Sequence, residues 1–454
     1  MVATEMSPLA RVGGLGDGLG ELPARLRERG HEVSVILPYY RSIRERYRPR
    51  PTGVKVQVAL EHRQAEAAVH EWHTPAGVQV FLIRRDAYFD RSGIYGANGN
   101  DAYDDNTERF IFFSRAALQL ILHLDPQPDL LHLHDWPTAL LPALVRERGL
   151  RFATVLSVHD PAYQGIGPAE DFRFTHLPGE WFGPEGFEYH GGLNLLKGGM
   201  AAADRVVLGG ALTPRRVRDA GHGDGLEGFF RAHEAKLAGI PDGLEPQAAP
   251  LSGKAKAKAR AALLEELGLN ADPAGPVLLL AGSGYPPLPD RMLSADLRVI
   301  AVGSAGDGNG ENDGAREREW QVAARRHRGK IARLEAWTPA LLQGVDAVAF
   351  PGEPEEALLI AALRAGVVPV ARAVPGMHSL VRDAAPEETS GLLFHDDAPE
   401  AFLDALKRAL RLFTEADRWA AVAAHAAATD FSWAATAARY EQLYGQLLPS
   451  PATA

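Results

Sequence analysis

The sequence predicts an α/β protein of two doubly wound, parallel-sheet domains, and three observations carry that prediction. Apolar runs of four to seven residues alternate with amphipathic stretches of ten or more, the rhythm of βα units. At 454 residues the chain exceeds what one hydrophobic core usually organises. The rhythm also blurs into glycine, alanine and proline between about residues 209 and 258 and then resumes, which sets a domain boundary near residue 240.

The first βα unit opens the chain. Leu19, Leu22 and Leu26 recur at helical spacing after Asp17, Gly30 supplies a stop, and Val33–Pro38 reads as the next strand. Gly13-Gly14-Leu15-Gly16 therefore sits at a helix N-terminus. Asn106-Thr107 can cap a helix running to about His123, and the strand Leu130–His134 that follows ends on Asp135. Pro137 suits the first turn of another helix, closing near Arg148-Gly149, and the strand Phe152–Val158 ends on His159. Consecutive strands of a parallel sheet are usually neighbours. Asp135 and His159 are thus expected side by side at the carboxyl edge, where such sheets bind ligands, with the glycine loop opening on the same edge. A second series has strands near 277–281, 297–302, 331–334, 345–350 and 367–371, with helices near 256–267, 316–327, 355–365 and 399–412. Gly303–Gly314 is too polar to pack.

Composition excludes several classes. Forty-eight basic against fifty-eight acidic side chains give a net charge of -10, unsuited to nucleic acid or anionic membrane. The absence of cysteine rules out disulfides, thiolate catalysis and cysteine-ligated metal. The start carries no signal-peptide pattern and no window reaches the ~18 apolar residues of a membrane span, so a soluble, cytoplasmic protein is expected.

Arg11-Val12-Gly13-Gly14-Leu15-Gly16-Asp17 closely resembles the Lys-x-Gly-Gly-Leu-Gly-Asp signature of bacterial glycogen synthases and plant starch synthases. Phe89–Tyr95, Asp104-Asp105-Asn106, His132–Trp136, Ser157–Gly165 and Gly191–Gly199 follow in family order, and Asp430–Trp433 and Tyr440–Tyr444 agree near the end. The resemblance implies the GT-B architecture, two Rossmann-like domains facing across a cleft. It assigns residues 1–240 to an acceptor domain, 241–428 to a nucleotide-sugar domain and 429–454 to a helix crossing back to the first. The implied reaction is transfer of glucose from ADP-glucose to the non-reducing end of an α-1,4-glucan, with retention and without metal or organic cofactor. The catalytic residues carried over are Asp135, His159, placed near the sugar's 6-hydroxyl and anomeric centre, and Glu353. Arg11, Gly13 and Gly14 match positions that approach the diphosphate. Asp17, Tyr95, Asn106 and Gln164 match positions that hydrogen-bond sugar hydroxyls, and Lys197 is a further substrate-binding match. His132 and His134 read as structural, Trp136 as a packing residue and Lys254–Arg260 as a solvated helix face.

Three departures fall on the donor side. Family members follow the first strand of the second domain with an arginine and, five residues on, a lysine, which neutralise the departing diphosphate. Here Val277–Ala281 runs into Gly282–Pro289 with neither, and the first cation is Arg291. Arg291, Lys330, Arg333 and Arg372 are the candidates to replace them. The Glu-Pro-Cys-Gly loop becomes Gly352–Glu356, with Glu353 the best match and Glu355 its rival, and a Thr-Gly-Gly phosphate loop becomes Val374-Pro375-Gly376. The family asparagine before the interdomain linker is Ala238. The family also has further apolar residues before Ala3-Thr4-Glu5, so the central first strand is either preceded by more chain or much shortened. The alternatives to an active synthase are a non-catalytic α-glucan-binding paralogue and a retaining transferase using another nucleotide sugar.

Overall fold

A computed structural model describes the chain apart from residues 62, 98–100, 210–213, 215, 219–220, 245–249, 272–274, 282–288, 294, 303–312, 353, 374–379, 384–387, 397 and 449–454. The sequence expectations for Glu353, for Gly282–Pro289 up to residue 288, for Val374-Pro375-Gly376 and for most of Gly303–Gly314 therefore lie outside the described residues. The chain divides into two compact units, Met1–Glu245 with Ser432–Ala454, and Pro246–Phe431.

In the first unit, two four-stranded sheets meet along the first three residues. Val2 bridges Ile36 on one side and Leu133 on the other, both in parallel sense. Its N–H donates to His132 O at 2.9 Å, and Ala3 N–H donates to Ile36 O at 3.1 Å. On one side of this seam lie, in order, the strands Ser34–Pro38, Gln79–Arg84, Arg63–His73 and Arg50–Leu60. On the other lie Leu130–His134, Ala153–Val158, Arg205–Leu208 and Leu237–Gly239. The strand order reverses at the seam, which makes it the topological switch point where open α/β sheets bind ligands. The hairpin strands at 50–60 and 63–73 are antiparallel, which the βα rhythm does not predict. Their signal is a period of two, visible in the alternating exposure of residues 54–60.

The predicted helices form. Gly14–Glu28 buries Leu19, Leu22 and Leu26, and Gly30 follows with φ +97°. Asn106–His123 buries Phe110 to Phe113 without exposure. After Asp135 the chain takes a short 3-10 turn, Trp136–Thr138, before the helix Leu140–Glu147. The last helix, Trp433–Leu447, belongs to the first unit, where Trp433, Tyr440 and Leu443 pack with Leu22, Leu26, Val155 and Val207. Ser432 caps it by accepting Ala435 N–H at 3.2 Å. The place where the chain leaves the unit is tied to the place where it returns. Leu244 bridges Ser432, and Thr436 Oγ1 donates to Pro241 O at 3.1 Å.

The second unit is a six-stranded, wholly parallel sheet. Its order is Ile331–Leu334, Arg298–Val302, Val277–Leu280, Ala347–Ala349, Val368–Arg372 and Leu392–Phe394. Its helix Gly253–Glu266 corrects the reading of Lys254–Arg260 as a solvated face. Lys254 and Lys258 are exposed, but Lys256 donates to Val345 O at 2.5 Å and Arg260 pairs with Asp346 at 2.5 Å. Burial raises the Asp346 carboxyl above its usual range, and the facing Arg260 opposes that shift.

Gly243 tests the tied crossing. A Cβ there would lie 2.4 Å from the Trp433 ring and 2.5 Å from its Cα. Gly243→Ala should therefore overpack the joint and cost about 1–3 kcal/mol, lowering the urea midpoint of the first unit. An unchanged midpoint would show that Trp433 does not close on the crossing.

Candidate functional site

The site is assembled at the carboxyl edge around the seam. The seam continues into Thr4 and Glu5, and the Glu5 carboxylate, 4% exposed, accepts the N–H groups of Val12 at 2.6 Å and Gly13 at 3.0 Å. Its other oxygen accepts the Tyr95 hydroxyl at 2.9 Å, and that hydroxyl also lies 2.8 Å from Thr4 Oγ1. The glycine loop is thus anchored from below. A Cβ on Gly13 or Gly14 would meet nothing within 4 Å, so the space above the loop is open. Gly13 is the N-cap of the first helix, whose unpaired N–H groups and dipole favour an anion. Glu5 takes the Gly13 N–H, and the amides of Gly14 and Leu15 follow it in the first turn of the helix.

The adjacent strands Leu130–His134 and Ala153–Val158 bring Asp135 and His159 together as the sequence predicts. His159 N–H donates to Asp135 Oδ1 at 2.8 Å. Asp135 has φ +58° and ψ −179°, a region occupied almost only by glycine, so a side chain is held there at a cost of about 1–3 kcal/mol. Burial raises its carboxyl above the usual range, opposed by His159. His159 is flanked on both ring nitrogens: Nε2 lies 3.4 Å from His134 Nδ1, and Nδ1 lies 4.0 Å from Asp242 Oδ2. Its side chain is 14% exposed.

His132 is structural, as expected. Tyr444 lies 2.7 Å from its Nδ1 and Ser157 Oγ 2.7 Å from its Nε2. Burial holds both His132 and His134 well below the ordinary histidine range, hence neutral. His134 reaches the site as well, because its ring meets that of His159 edge to edge, with centroids 5.7 Å apart. Trp136 packs edge-on against Phe110 at 5.1 Å.

Four of the residues expected to contact substrate make hydrogen bonds inside the unit. Lys197 donates to the carbonyls of Pro184, Gly186 and Glu188 at 2.5, 2.8 and 3.0 Å, which uses all three ammonium protons. Gln164 donates to Pro161 O and Asp224 O, both at 2.9 Å, and accepts from Asn194 at 2.6 Å. Asn106 donates to Tyr95 O at 2.9 Å and accepts from Arg109 at 2.8 Å, while Arg109 also holds the carbonyls of Tyr88 and Ile94. The Tyr95 hydroxyl is taken by Glu5 and Thr4. These residues shape the wall behind the site. Arg11 and Asp17 form a bidentate pair at 2.5 and 2.8 Å with more than half of each side chain exposed, so a ligand can part them cheaply.

Of the cations that could replace the missing donor-side pair, Lys330 is excluded. It lies before the strand Ile331–Leu334, at the amino edge, and donates to Leu293 O and Ala295 O at 3.0 Å. Arg372 ends its strand at the carboxyl edge. Glu355 accepts the Trp337 indole N–H at 3.1 Å. Three site residues escape the sequence reading: Glu5, His134 and Asp242. Glu5 could have been found by the logic that picks Asp135, since it ends the seam at the same edge. Asp242, inside what reads as a connector, carries no such signal. Among the described residues no group of three or more His, Asp or Glu is placed to hold a metal ion, and no helix is long and apolar enough to cross a membrane.

The fold and the edge-on site define a GT-B glycosyltransferase. The catalytic domain of starch synthase IV from Arabidopsis thaliana, solved with ADP and acarbose, superposes with a TM-score of 0.62 at 24% identity over 98% of each chain, a likeness of fold. The family model for the starch synthase catalytic domain matches residues 1–232. A glycogen synthase of Syntrophotalea carbinolica is 31% identical over 98% of this chain and 97% of its own, and one of Anaeromyxobacter dehalogenans is 33% identical over 99% and 98%. The chain belongs to the glycogen/starch synthase family.

The Asp135 carboxyl gives a stability test. Its folded value lies above the unfolded value of about 3.9, so the fold favours the protonated form and loses stability as pH rises and the group ionises. Asparagine has the shape of aspartate, so it adds no backbone strain, and its carbonyl oxygen can still accept the His159 N–H. Asp135→Asn should melt higher than wild type at pH 7, with the gain shrinking toward about pH 4. A gain that grows on acidification would contradict the assignment.

Proposed function

We propose that the protein is a glycogen/starch synthase-type glucosyltransferase that uses ADP-glucose and an α-1,4-glucan acceptor. The observation that carries this is the Asp135–His159 pair, held by a strained backbone at the switch point of a sheet whose chain matches glycogen synthases end to end. In this reading Asp135 and His159 contact the transferred sugar. Arg11, released from Asp17, and the amides of Gly14 and Leu15 receive the diphosphate. Such fixed charges and dipoles can stabilise a departing diphosphate without a metal ion. The bacterial glycogen synthases that the chain resembles support a cytoplasmic location in this reading.

We further propose that transfer is slow. One preorganised charge-stabilising donor contributes about 2.7–4 kcal/mol, or about 10²–10³ in turnover. The sequence lacks two cations after Ala281 and a phosphate-loop amide at Pro375. These losses favour, as the second reading, a paralogue that binds α-glucan without transferring glucose.

Both readings require glucan affinity in the first unit. Saturating maltoheptaose should raise the melting temperature, since a ligand at 100 times its Kd stabilises the folded state by about 2.7 kcal/mol. The response to ADP separates the readings: a shift with both ligands favours the transferase, and a shift with the glucan alone favours the binding paralogue. No shift with maltoheptaose up to its solubility would contradict both. Any measurable transfer should vanish in His159→Ala.

A further inference from the structure

We propose that Asp242 and His134 are positioning residues that together hold the His159 imidazole in the tautomer protonated on Nδ1. The inference deepens the reading that His159 meets the transferred sugar, and it stands on the geometry of three side chains. The two ring nitrogens of His159 face unlike partners. Nδ1 faces the Asp242 carboxylate at 4.0 Å, and Nε2 faces His134 Nδ1 at 3.4 Å with the rings inclined by 23°. An ionised carboxylate only accepts, whereas a neutral imidazole donates from one nitrogen and accepts at the other.

One neutral arrangement satisfies both contacts. His134 donates its Nδ1 proton to His159 Nε2, and His159 turns its own Nδ1 proton toward Asp242. The reverse arrangement sets the Nδ1 lone pair of His159 against a carboxylate. It also moves the proton of His134 to its far nitrogen, Nε2, which is buried with no hydrogen-bond partner among the described residues. A buried donor left unpaired is rarer and more costly than an acceptor left partly unused. Both ends of the chain of contacts favour the same choice, and the two together are needed to hold it.

The surroundings support this role. Burial keeps His134 neutral, so it can act only as a single donor. The other titratable groups near the pair include the Met1 amino group, His132 and Asp135 on the same stretch of chain, Glu5 on the seam, Asp160 after His159, and Tyr440 on the last helix. Gly209 keeps the space between imidazole and carboxylate clear. A Cβ there would lie 3.2 Å from His159 Nδ1 and 3.8 Å from Asp242 Oδ1. Asp242 sits in the tied crossing, between Pro241, which accepts from Thr436, and Leu244, which bridges Ser432. The last helix thus fixes the carboxylate that orients the histidine. At 4.0 Å the pair is longer than a hydrogen bond but still electrostatically close, and a small ring rotation closes it.

The test is the ¹⁵N spectrum of the histidine rings at about pH 8, above the ordinary histidine range. Wild-type His159 should show a protonated Nδ1 and an unprotonated Nε2, the opposite of the form that predominates in a free imidazole. Asp242→Ala should return it to the Nε2-protonated form. Asp242→Asn, whose carbonyl oxygen can accept in the same place, should keep the Nδ1 proton. A carboxylate with a merely structural role would leave the tautomer unmoved in all three proteins. A wild-type His159 protonated on Nε2 overturns the proposal, and so does an Nδ1 proton that survives in Asp242→Ala. The wild-type spectrum decides the first point even if the alanine variant does not fold. No donor, acceptor or turnover enters this measurement, so its failure leaves the functional reading standing and a failed transfer assay leaves the tautomer standing.

Discussion

The Glu5 carboxylate is buried at the end of the seam, where it accepts two loop N–H groups and one tyrosine hydroxyl. A carboxylate removed from water loses several kcal/mol of hydration, recovered only when every oxygen is well bonded. Glu5 meets that condition by drawing three separate stretches of sequence to one point: residues 3–5, the glycine loop at 11–14, and the motif ending at Tyr95. Tyr95 in turn is held by Asn106, and Asn106 by the buried Arg109, whose guanidinium also holds the carbonyls of Tyr88 and Ile94. Several family-signature residues are therefore tied to one another around the glycine loop. Removing Glu5 would take the carboxylate partner from the Val12 and Gly13 N–H groups at the mouth of the first helix.

A second constraint acts from the other side of the seam. The last helix returns to the first unit and inserts Tyr440 and Tyr444 beneath the strand ends, against Ser157 and His132. His132 and His134 lie ring against ring at 4.1 Å, and His134 meets His159 edge to edge through its Nδ1. The position of the candidate catalytic imidazole thus depends on residues nearly 300 positions later in the chain. The same helix clamps the crossing segment that carries Asp242.

Much of this was legible in the sequence because parallel βα units obey strict rules. The rhythm of apolar runs identified the strands ending at His134 and Val158, and their adjacency required Asp135 and His159 to emerge together. What sequence could not resolve was how each polar side chain is satisfied. Lys197, Gln164 and Asn106 occupy motif positions like any ligand-binding residue, and only their bonding partners show that they hold loops. Asp242 was hidden because its role depends on a long-range joint between residues 241–244 and 432–436. The antiparallel hairpin at 50–73 does not follow from the βα rhythm, and its own signal is the period of two in Val54, Val56, Val58 and Leu60.

The proposed function implies an unequal division of labour: a first unit that keeps the residues matched to sugar binding and a donor side without the arginine and lysine of the family pattern. Turnover with ADP-glucose and glycogen, measured for wild type and for a graft, tests it most directly. The graft replaces Gly282–Pro289 with a family-length loop carrying the arginine and lysine and restores Val374-Pro375 to Thr-Gly. The account predicts wild-type turnover far below the ordinary enzyme range of about 1–10³ per second, with recovery by orders of magnitude in the graft. Wild-type turnover inside that range would contradict it and would mean that another cation, such as Arg291 or Arg372, has taken over the diphosphate.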